Sequence, residues 1–423
     1  MHHQTFLKSS VLAGAPSVET TKFLTSVDGQ KDLPRYFAHV MKVVQSLQFG
    51  SLVLGLPDGR KFLAQGRNPL PWAELQIHNP AFFARLLREG DLGFADGYIE
   101  GWWSTPDLQA LMDLLHAGNE LVYDGFPAVR MLRFYEKLRF RLQSNTRVQA
   151  KKNISYHYDL GNEFYALWLD ETMTYSSALF HCEQQTIVSA QKAKYMSLIE
   201  QMGVKPGDHV LEIGCGWGGF ATYAAQWHGL RVTGLTISKE QLAFAQDRIN
   251  RLNLGHLVDF KLQDYRDESG IYDAVVSIEM FEAVGEKYWP VYFSSVKRVL
   301  KPGARAALQI IMVQDQRYEM YRKSVDFIQK YIFPGGMLPS PKVLRAQIAK
   351  AGLTSVRSIE FGKSYSRTLR LWHSCFNAEW DQVSKLGFDD RFRRMWNFYL
   401  TSCAAAFESG YCDVTQITIS KAA

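Results

Sequence analysis

The chain reads as an α/β protein: a doubly wound parallel sheet preceded by a smaller α+β domain. Three observations carry this. From Val204 onward, strand-like and helix-like segments alternate at the spacing of βαβ units. A run of glycines, "EIGCGWGGF" from Glu212 to Phe220, follows the first of those strands directly. Upstream, short apolar runs flank a Pro57-Asp58-Gly59 turn, which is the pattern of a hairpin and not of a crossover.

The 423 residues are 47% hydrophobic, enough for a sizeable core and two domains. The formal net charge of +6 suits an anionic partner, a phospholipid surface or a nucleic acid, although enzymes with neither can carry it. No apolar run reaches the roughly 20 residues that would span a bilayer. The opening "MHHQTFLKSSVLAGAPS" lacks the long apolar stretch of a secretory leader. Five scattered cysteines (Cys182, Cys215, Cys375, Cys403 and Cys412) form no CxxC pair, so no metal site and a reduced, cytoplasmic protein are expected.

In chain order, residues 1–30 are Ser/Thr-rich and expected to be loosely ordered. Residues 31–128 make the small α+β domain. In it "SLVLGLPDGRKFLAQG" is a hairpin, Pro80 opens a helix with Phe82, Phe83, Leu86 and Leu87 on its apolar face, and Gly90 ends it. Trp102 and Trp103 read first as core aromatics and second as anchors at a membrane interface. Over 129–152, Leu132, Tyr135, Leu138 and Leu142 recur at helical spacing among arginines and lysines. That is a basic amphipathic helix, either lipid-facing or simply solvated. The catalytic domain is expected over 153–423. "HVLEIGCG", "LRVTGLTIS", "VDFKLQDYR" and "YDAVVSI" are its strands, with helices between them. "YFSSVKRVL" is then a helix, Pro302-Gly303 a turn and "ARAALQIIMV" the next strand.

Gly214, Gly216, Gly218 and Gly219 let the backbone turn sharply and approach a ligand at the carboxyl end of a strand, where open α/β sheets bind. The acid Glu212 inside the strand end departs from the dinucleotide fingerprint. Acid-x-Gly-x-Gly in this setting resembles motif I of the class I S-adenosylmethionine (SAM) methyltransferases. Thr236, Ile237 and Gln241 stand at the second strand end, where many such enzymes carry an acid for the ribose. Gln263 and Asp264 stand where the adenine amine is usually met, and the plainer reading of Asp264 is an ordinary loop acid.

Further strings coincide: "ISYHYDLGNEFYALWLDETMTYSSALF", "EMFEAVGEKYWPVYF", "KYIFPGGMLPS", "SYSRTLRLW" and "DGYIEGWW". Together they resemble the cyclopropane fatty acid synthase family, which includes the mycolic acid methyltransferases, from about Ser51 to the end. The resemblance implies methyl transfer from SAM to the cis double bond of an acyl chain, in bacterial synthases a phospholipid chain. It implies a cofactor shell of Tyr175, Ser176, Gly214, Gly216, Thr236, Gln241 and Asp264, with Tyr156 and Tyr158 in a segment that lids it. It further implies a base, a bound bicarbonate held by a small polar cluster. Glu282, Tyr365 and the backbone of Ile311 match that cluster. Ser177 stands for the family's cysteine and Gln309 for its histidine, which puts the bicarbonate in doubt. Ala283 replaces a further histidine. Glu279 has no counterpart, members often having a small residue there. It reads as a core-edge acid or as a replacement base.

The expected partner is thus an unsaturated phospholipid in an anionic membrane, met peripherally at the inner face of the cell membrane, with a homodimer giving two basic surfaces one membrane to face. The "KYIFPGG" loop would line the acyl tunnel. The same-class alternative is a fatty acyl methyltransferase giving a methyl-branched or exomethylene product. A nucleic-acid methyltransferase would suit the charge, but no Asn-Pro-Pro-Tyr string is present. A lipid-binding protein without catalysis is disfavoured by the intact glycine loop.

Overall fold

The structure is a computed structural model and describes residues 23–117, 149 and 160–423. The expected basic helix of 129–152 and the lid tyrosines Tyr156 and Tyr158 lie outside the described residues, Gln149 excepted.

The smaller unit runs α1 (Phe37–Val44), β1 (Phe49–Gly55), β2 (Lys61–Gln65), β3 (Asn68–Ile77), α2 (Ala81–Glu89), α3 (Asp91–Ile99), β4 (Trp103–Ser104) and α4 (Leu108–Ala117). Its sheet order is β2-β1-β3-β4. The hairpin around Pro57-Asp58-Gly59 is there, with Leu52 opposite Ala64 and Leu54 opposite Phe62. Gly90, at φ 60°, separates α2 from α3 because a residue with a Cβ enters that region only under strain. Residues 23–30 are less loose than expected: the backbone of Leu24 pairs with Lys61 and Leu63 beside β2.

The larger unit continues with α5 (Asn162–Ala166), α6 (Ile187–Met202), β5 (His209–Ile213), α7 (Gly219–His228), β6 (Arg231–Thr236), α8 (Lys239–Arg251), β7 (Val258–Leu262) and β8 (Tyr272–Ile278). Then come α9 (Trp289–Val299), β9 (Leu300–Val313), α10 (Asp315–Lys323), α11 (Pro341–Lys350), β10 (Thr354–Glu360), α12 (Gly362–Ala378), α13 (Trp380–Lys385), α14 (Asp390–Glu408) and β11 (Cys412–Ser420). The seven strands lie in the order β10-β11-β9-β8-β5-β6-β7. β9, β8, β5, β6 and β7 are parallel, and β11 is antiparallel to both of its neighbours.

Successive side chains on a strand face opposite ways, and both faces here are covered. Leu211, Val275 and Leu308 pack under Trp289, Phe293 and Leu344 of α9 and α11. Val210, Val276 and Ala307 pack under Leu198, Phe220 and Ile249 of α6, α7 and α8. Pro302-Gly303 does not separate helix from strand as expected. β9 runs through it, and the register with β8 jumps there, from Tyr272 opposite Leu300 to Ala274 opposite Arg305. The two residues bulge out of the ladder, where the missing proline N–H costs nothing.

The two units share one core. Phe94 and Trp103 of the smaller unit pack into the same buried cluster as Trp168, Trp372 and Trp396. Phe94 and Phe398 of α14 have ring centroids 6.1 Å apart. Trp103 is 1% exposed, and its indole Nε1 donates to the carbonyl of Phe94 at 2.9 Å, so it is a core residue. Trp102 is half-buried under the Arg85 guanidinium, 5.2 Å from the ring centroid. No described helix is long and apolar enough to cross a membrane.

Candidate active site

One cavity of about 450 Å³ opens at the carboxyl ends of β5, β6 and β8. Its size and position are those of a ligand site in an open α/β sheet. Gly214 and Gly216, at φ 83° and 53°, line it immediately after β5. A Cβ at Gly216 would meet nothing within 4 Å, so the loop leaves room there. Glu212 also lines the cavity, is 2% exposed, and its Oε2 has no partner among the described residues. Burial pushes its carboxyl well above the usual range.

At the end of β6, the Thr236 hydroxyl donates to Gln241 Oε1 at 2.9 Å, and Ile237 lies beside them on the wall. After β7, Gln263 donates to Glu268 at 3.0 Å. Asp264 is held by Arg266 through two contacts of 2.8 and 2.6 Å. Tyr175 and Ser176 complete this half of the wall. The Tyr175 hydroxyl meets that of Tyr399 at 2.7 Å, and Ser176 Oγ accepts from the Lys194 ammonium at 2.7 Å. The described members of the expected cofactor shell therefore share one cavity. Glycine backbone, polar side chains and the open space beside Gly216 suit an adenosyl amino acid.

The second half of the cavity is apolar and aromatic. Phe333 and Pro334 come from the "KYIFPGG" loop and Phe327 from just before it, Phe398, Tyr399 and Phe407 from α14, and Phe94, Met112 and Leu115 from the smaller unit. The 3-residue turn Phe281–Ala283 after β8 brings Glu282 between the halves. Glu282 Oε1 accepts from the backbone N–H of Ile311 at 2.6 Å, while Oε2 has no partner among the described residues.

Glu279 is the feature the sequence left open. Its backbone lies at φ 50°, a left-handed conformation that glycine adopts freely and a glutamate adopts at about 1 kcal/mol or more. Its Oε1 accepts from the backbone N–H of Ser177 at 2.8 Å and from Gln309 Nε2 at 2.7 Å. The Tyr365 hydroxyl is hydrogen-bonded to it as well. Ser177 contributes through its backbone alone, because its hydroxyl donates to the carbonyl of Ala178 at 2.9 Å. Gln309 is buried behind the wall and does not line the cavity.

Burial raises both carboxyls above their ordinary range. For Glu279 the Gln309 amide, the Lys194 ammonium, the Tyr365 hydroxyl and the Ser177 N–H oppose the rise. For Glu282 the neighbouring Glu279 charge adds to burial and pushes it to about 8. At neutral pH Glu282 is thus the protonated member of the pair, and Glu279 is the member whose neighbours favour the charged form. A bound bicarbonate does not fit. Ser177, Gln309 and Tyr365 are bonded to Glu279 and the Ile311 N–H to Glu282, and an anion there would face a carboxyl group already in place.

Sequence reasoning missed Lys194. It is fully buried on α6, with an ammonium lowered by burial and raised in part by Glu279, Asp170 and Glu212. The signal was available: Ala190, Gln191, Lys194, Tyr195 and Leu198 are one buried helical stripe. Among the described residues no cluster of His, Cys, Asp and Glu could hold a metal ion.

A family model described as mycolic acid cyclopropane synthetase matches residues 145–417. The chain is 40% identical over 355 residues, 82% of each chain, to the tuberculostearic acid methyltransferase UfaA1 of Mycobacterium tuberculosis. It is 37% identical over 355 residues, 82% of this chain and 88% of the other, to the cyclopropane-fatty-acyl-phospholipid synthase of Escherichia coli K12. The solved mycolic acid cyclopropane synthase CmaA1, complexed with SAH and CTAB, aligns with a TM-score of 0.61 at 31% identity, over 64% of this chain and 98% of that one. SAM is accordingly the cofactor. The chain belongs to the mycolic acid cyclopropane synthetase family of SAM-dependent methyltransferases.

Proposed function

We propose that this enzyme methylates the cis double bond of an unsaturated phospholipid acyl chain and closes it to a cyclopropane, with Glu279 taking the proton. The observation that carries the reading is the Glu279 carboxylate in the polar cluster between the cofactor bay and the apolar half of the cavity. The cofactor supplies a methyl group on a sulfonium. An alkene is a weak nucleophile, so holding the chain close and in line with that methyl supplies much of the rate, and the apolar wall from Phe327, Phe398 and Leu115 does the holding.

Attack forms a bond from one alkene carbon to the methyl, breaks the carbon–sulfur bond and leaves a cation on the other alkene carbon. The aromatic faces of Tyr175, Tyr365 and Phe407 stabilise it without adding a nucleophile. Glu279 then accepts a proton from the new methyl, and the freed electron pair closes the ring. Glu282, neutral at pH 7, places no second negative charge beside Glu279. The chain meets its membrane peripherally, which its net charge of +6 favours on an anionic surface.

A second reading has its own support. The relative at 40% identity is a tuberculostearic acid methyltransferase, and Ser177 and Gln309 replace the polar residues of the cyclopropane pattern. In that reading the cation loses a proton from a neighbouring chain carbon, and the product keeps an alkene beside a methyl branch. The test is incubation with SAM and vesicles of a monounsaturated anionic phospholipid, then hydrolysis, mass spectrometry and proton NMR of the fatty acids. Upfield ring protons with loss of the olefin signal support ring closure. A retained olefin beside a methyl branch supports the second reading, and no added carbon refutes both.

A further inference from the structure

Behind Glu279, outside the cavity, runs a file of buried side-chain amides that the reaction has not yet used. Gln309 Nε2 donates to Glu279 Oε1 at 2.7 Å and to the carbonyl of Ser177 at 3.2 Å. Gln309 Oε1 accepts from Gln416 Nε2, on β11, at 3.1 Å. Gln416 Oε1 accepts from Gln201 Nε2 and from the Ser197 hydroxyl, each at 2.7 Å. Gln201 Oε1 accepts from the Thr418 hydroxyl at 2.8 Å. Gln309 and Gln416 are wholly buried, and Gln201 and Thr418 nearly so.

An amide has one accepting and one donating end, so such a file has a direction. A backbone carbonyl can only accept. The Lys194 carbonyl lies 3.3 Å from Gln416 Nε2, which fixes the donating end of that amide. The same Nε2 therefore meets Gln309 at its oxygen, and the N–H of Gln309 is left for Glu279. Every donor in the file points toward the carboxylate.

We propose that Gln416 is a positioning residue for the base: by holding the oxygen of Gln309 it keeps the Gln309 N–H against Glu279 and the carboxylate aimed at the reacting carbon. The inference rests on Glu279 being the base. Glu279 is faced by the Lys194 ammonium from α6, the Tyr365 hydroxyl from α12, and Glu282 from its own loop. Replacing Gln416 removes none of those charges but releases the Lys194 backbone carbonyl, whereas replacing Thr418 leaves that carbonyl bonded, so a shift in the titration of Glu279 common to both reports the amide file.

The experiment compares Gln416→Met, Thr418→Val and Glu279→Gln in the full chain with unsaturated anionic vesicles, reading kcat against pH, KM for SAM and the melting temperature. Gln416→Met is expected to lower kcat at pH 7 about tenfold and to move the acid limb of kcat up by about one pH unit, with KM for SAM unchanged. Thr418→Val, nearly isosteric and two hydrogen bonds further away, moves the limb the same way by less. An unmoved limb in both variants overturns the proposal, even if turnover or melting temperature falls. Where Gln416→Met does not fold, an unmoved limb in Thr418→Val overturns it. Wild-type turnover in Glu279→Gln removes the base assignment and the proposal with it. An inactive Glu279→Gln beside an unmoved limb in Gln416→Met removes the proposal alone.

Discussion

Replacing Glu279 by glutamine separates catalysis from stability. The backbone N–H of Ser177 and the side-chain amide of Gln309 both donate to the single oxygen Oε1. A glutamine keeps them with its amide oxygen and turns its NH2 toward Tyr365, whose hydroxyl can accept. The fold therefore loses no hydrogen bond. It also no longer buries a carboxylate whose ionised form is disfavoured by its enclosure. Against that gain the buried Lys194 ammonium loses a neighbouring carboxylate, so stability at pH 7.5 should change by no more than about 1–2 kcal/mol in thermal unfolding. Activity should fall by about 10² to 10⁴, the usual contribution of a positioned base.

Glu279→Gly goes further. It relieves the φ of 50° and releases the Ser177, Gln309 and Tyr365 donors into an empty pocket. That variant should be slow in bicarbonate-free buffer and recover with added bicarbonate, whereas the wild type should not respond. The assay is methyl incorporation from labelled SAM into vesicle lipid across a bicarbonate series. Full activity of Glu279→Gln, or a wild type that needs bicarbonate, would refute the reasoning.

Other perturbations follow from the same geometry. Glu282, raised to about 8 in the folded chain, binds a proton that the unfolded chain releases near its ordinary 4.5. Folded stability is therefore full below about pH 4.5 and falls as pH rises toward 8, by a few kcal/mol at most. Glu282→Gln should flatten that dependence in urea melts run at several pH values. Gly214→Ala combines φ 83° with a Cβ placed 2.7 Å from Met280 Cγ, so SAM affinity by calorimetry should fall tenfold or more. Asp96, 4% exposed, joins Arg85 at 2.5 Å and Lys330 at 3.4 Å and accepts from the Tyr331 hydroxyl at 2.6 Å. Asp96→Asn should cost about 2–4 kcal/mol in denaturant unfolding, because two cations lose their shared counter-charge. It should also loosen the loop that carries Phe333 into the cavity.

Periodicity and punctuation made the strand–helix alternation legible from Val204 onward, and with it the sheet and the strand whose end carries the glycines. Those features are local: a strand, a sharp turn and a helix are written within about a dozen residues. The strings around Tyr175, Glu282 and Tyr365 were legible as a resemblance, and the fold brings all three to one cavity. What the chain alone left open was the part decided by residues far apart. Whether Glu279 was an edge acid or a base depended on Ser177, Gln309 and Tyr365, which lie 102, 30 and 86 positions away and meet it only once the sheet is assembled. The same holds for Trp103, which is buried against Phe82, Phe94 and Tyr98, and for the direction of the amide file, set by one backbone carbonyl on α6. Sequence pattern determines which face of an element is apolar. Only the packed structure decides which buried polar atoms find each other, because leaving one unpaired costs as much as many apolar contacts provide.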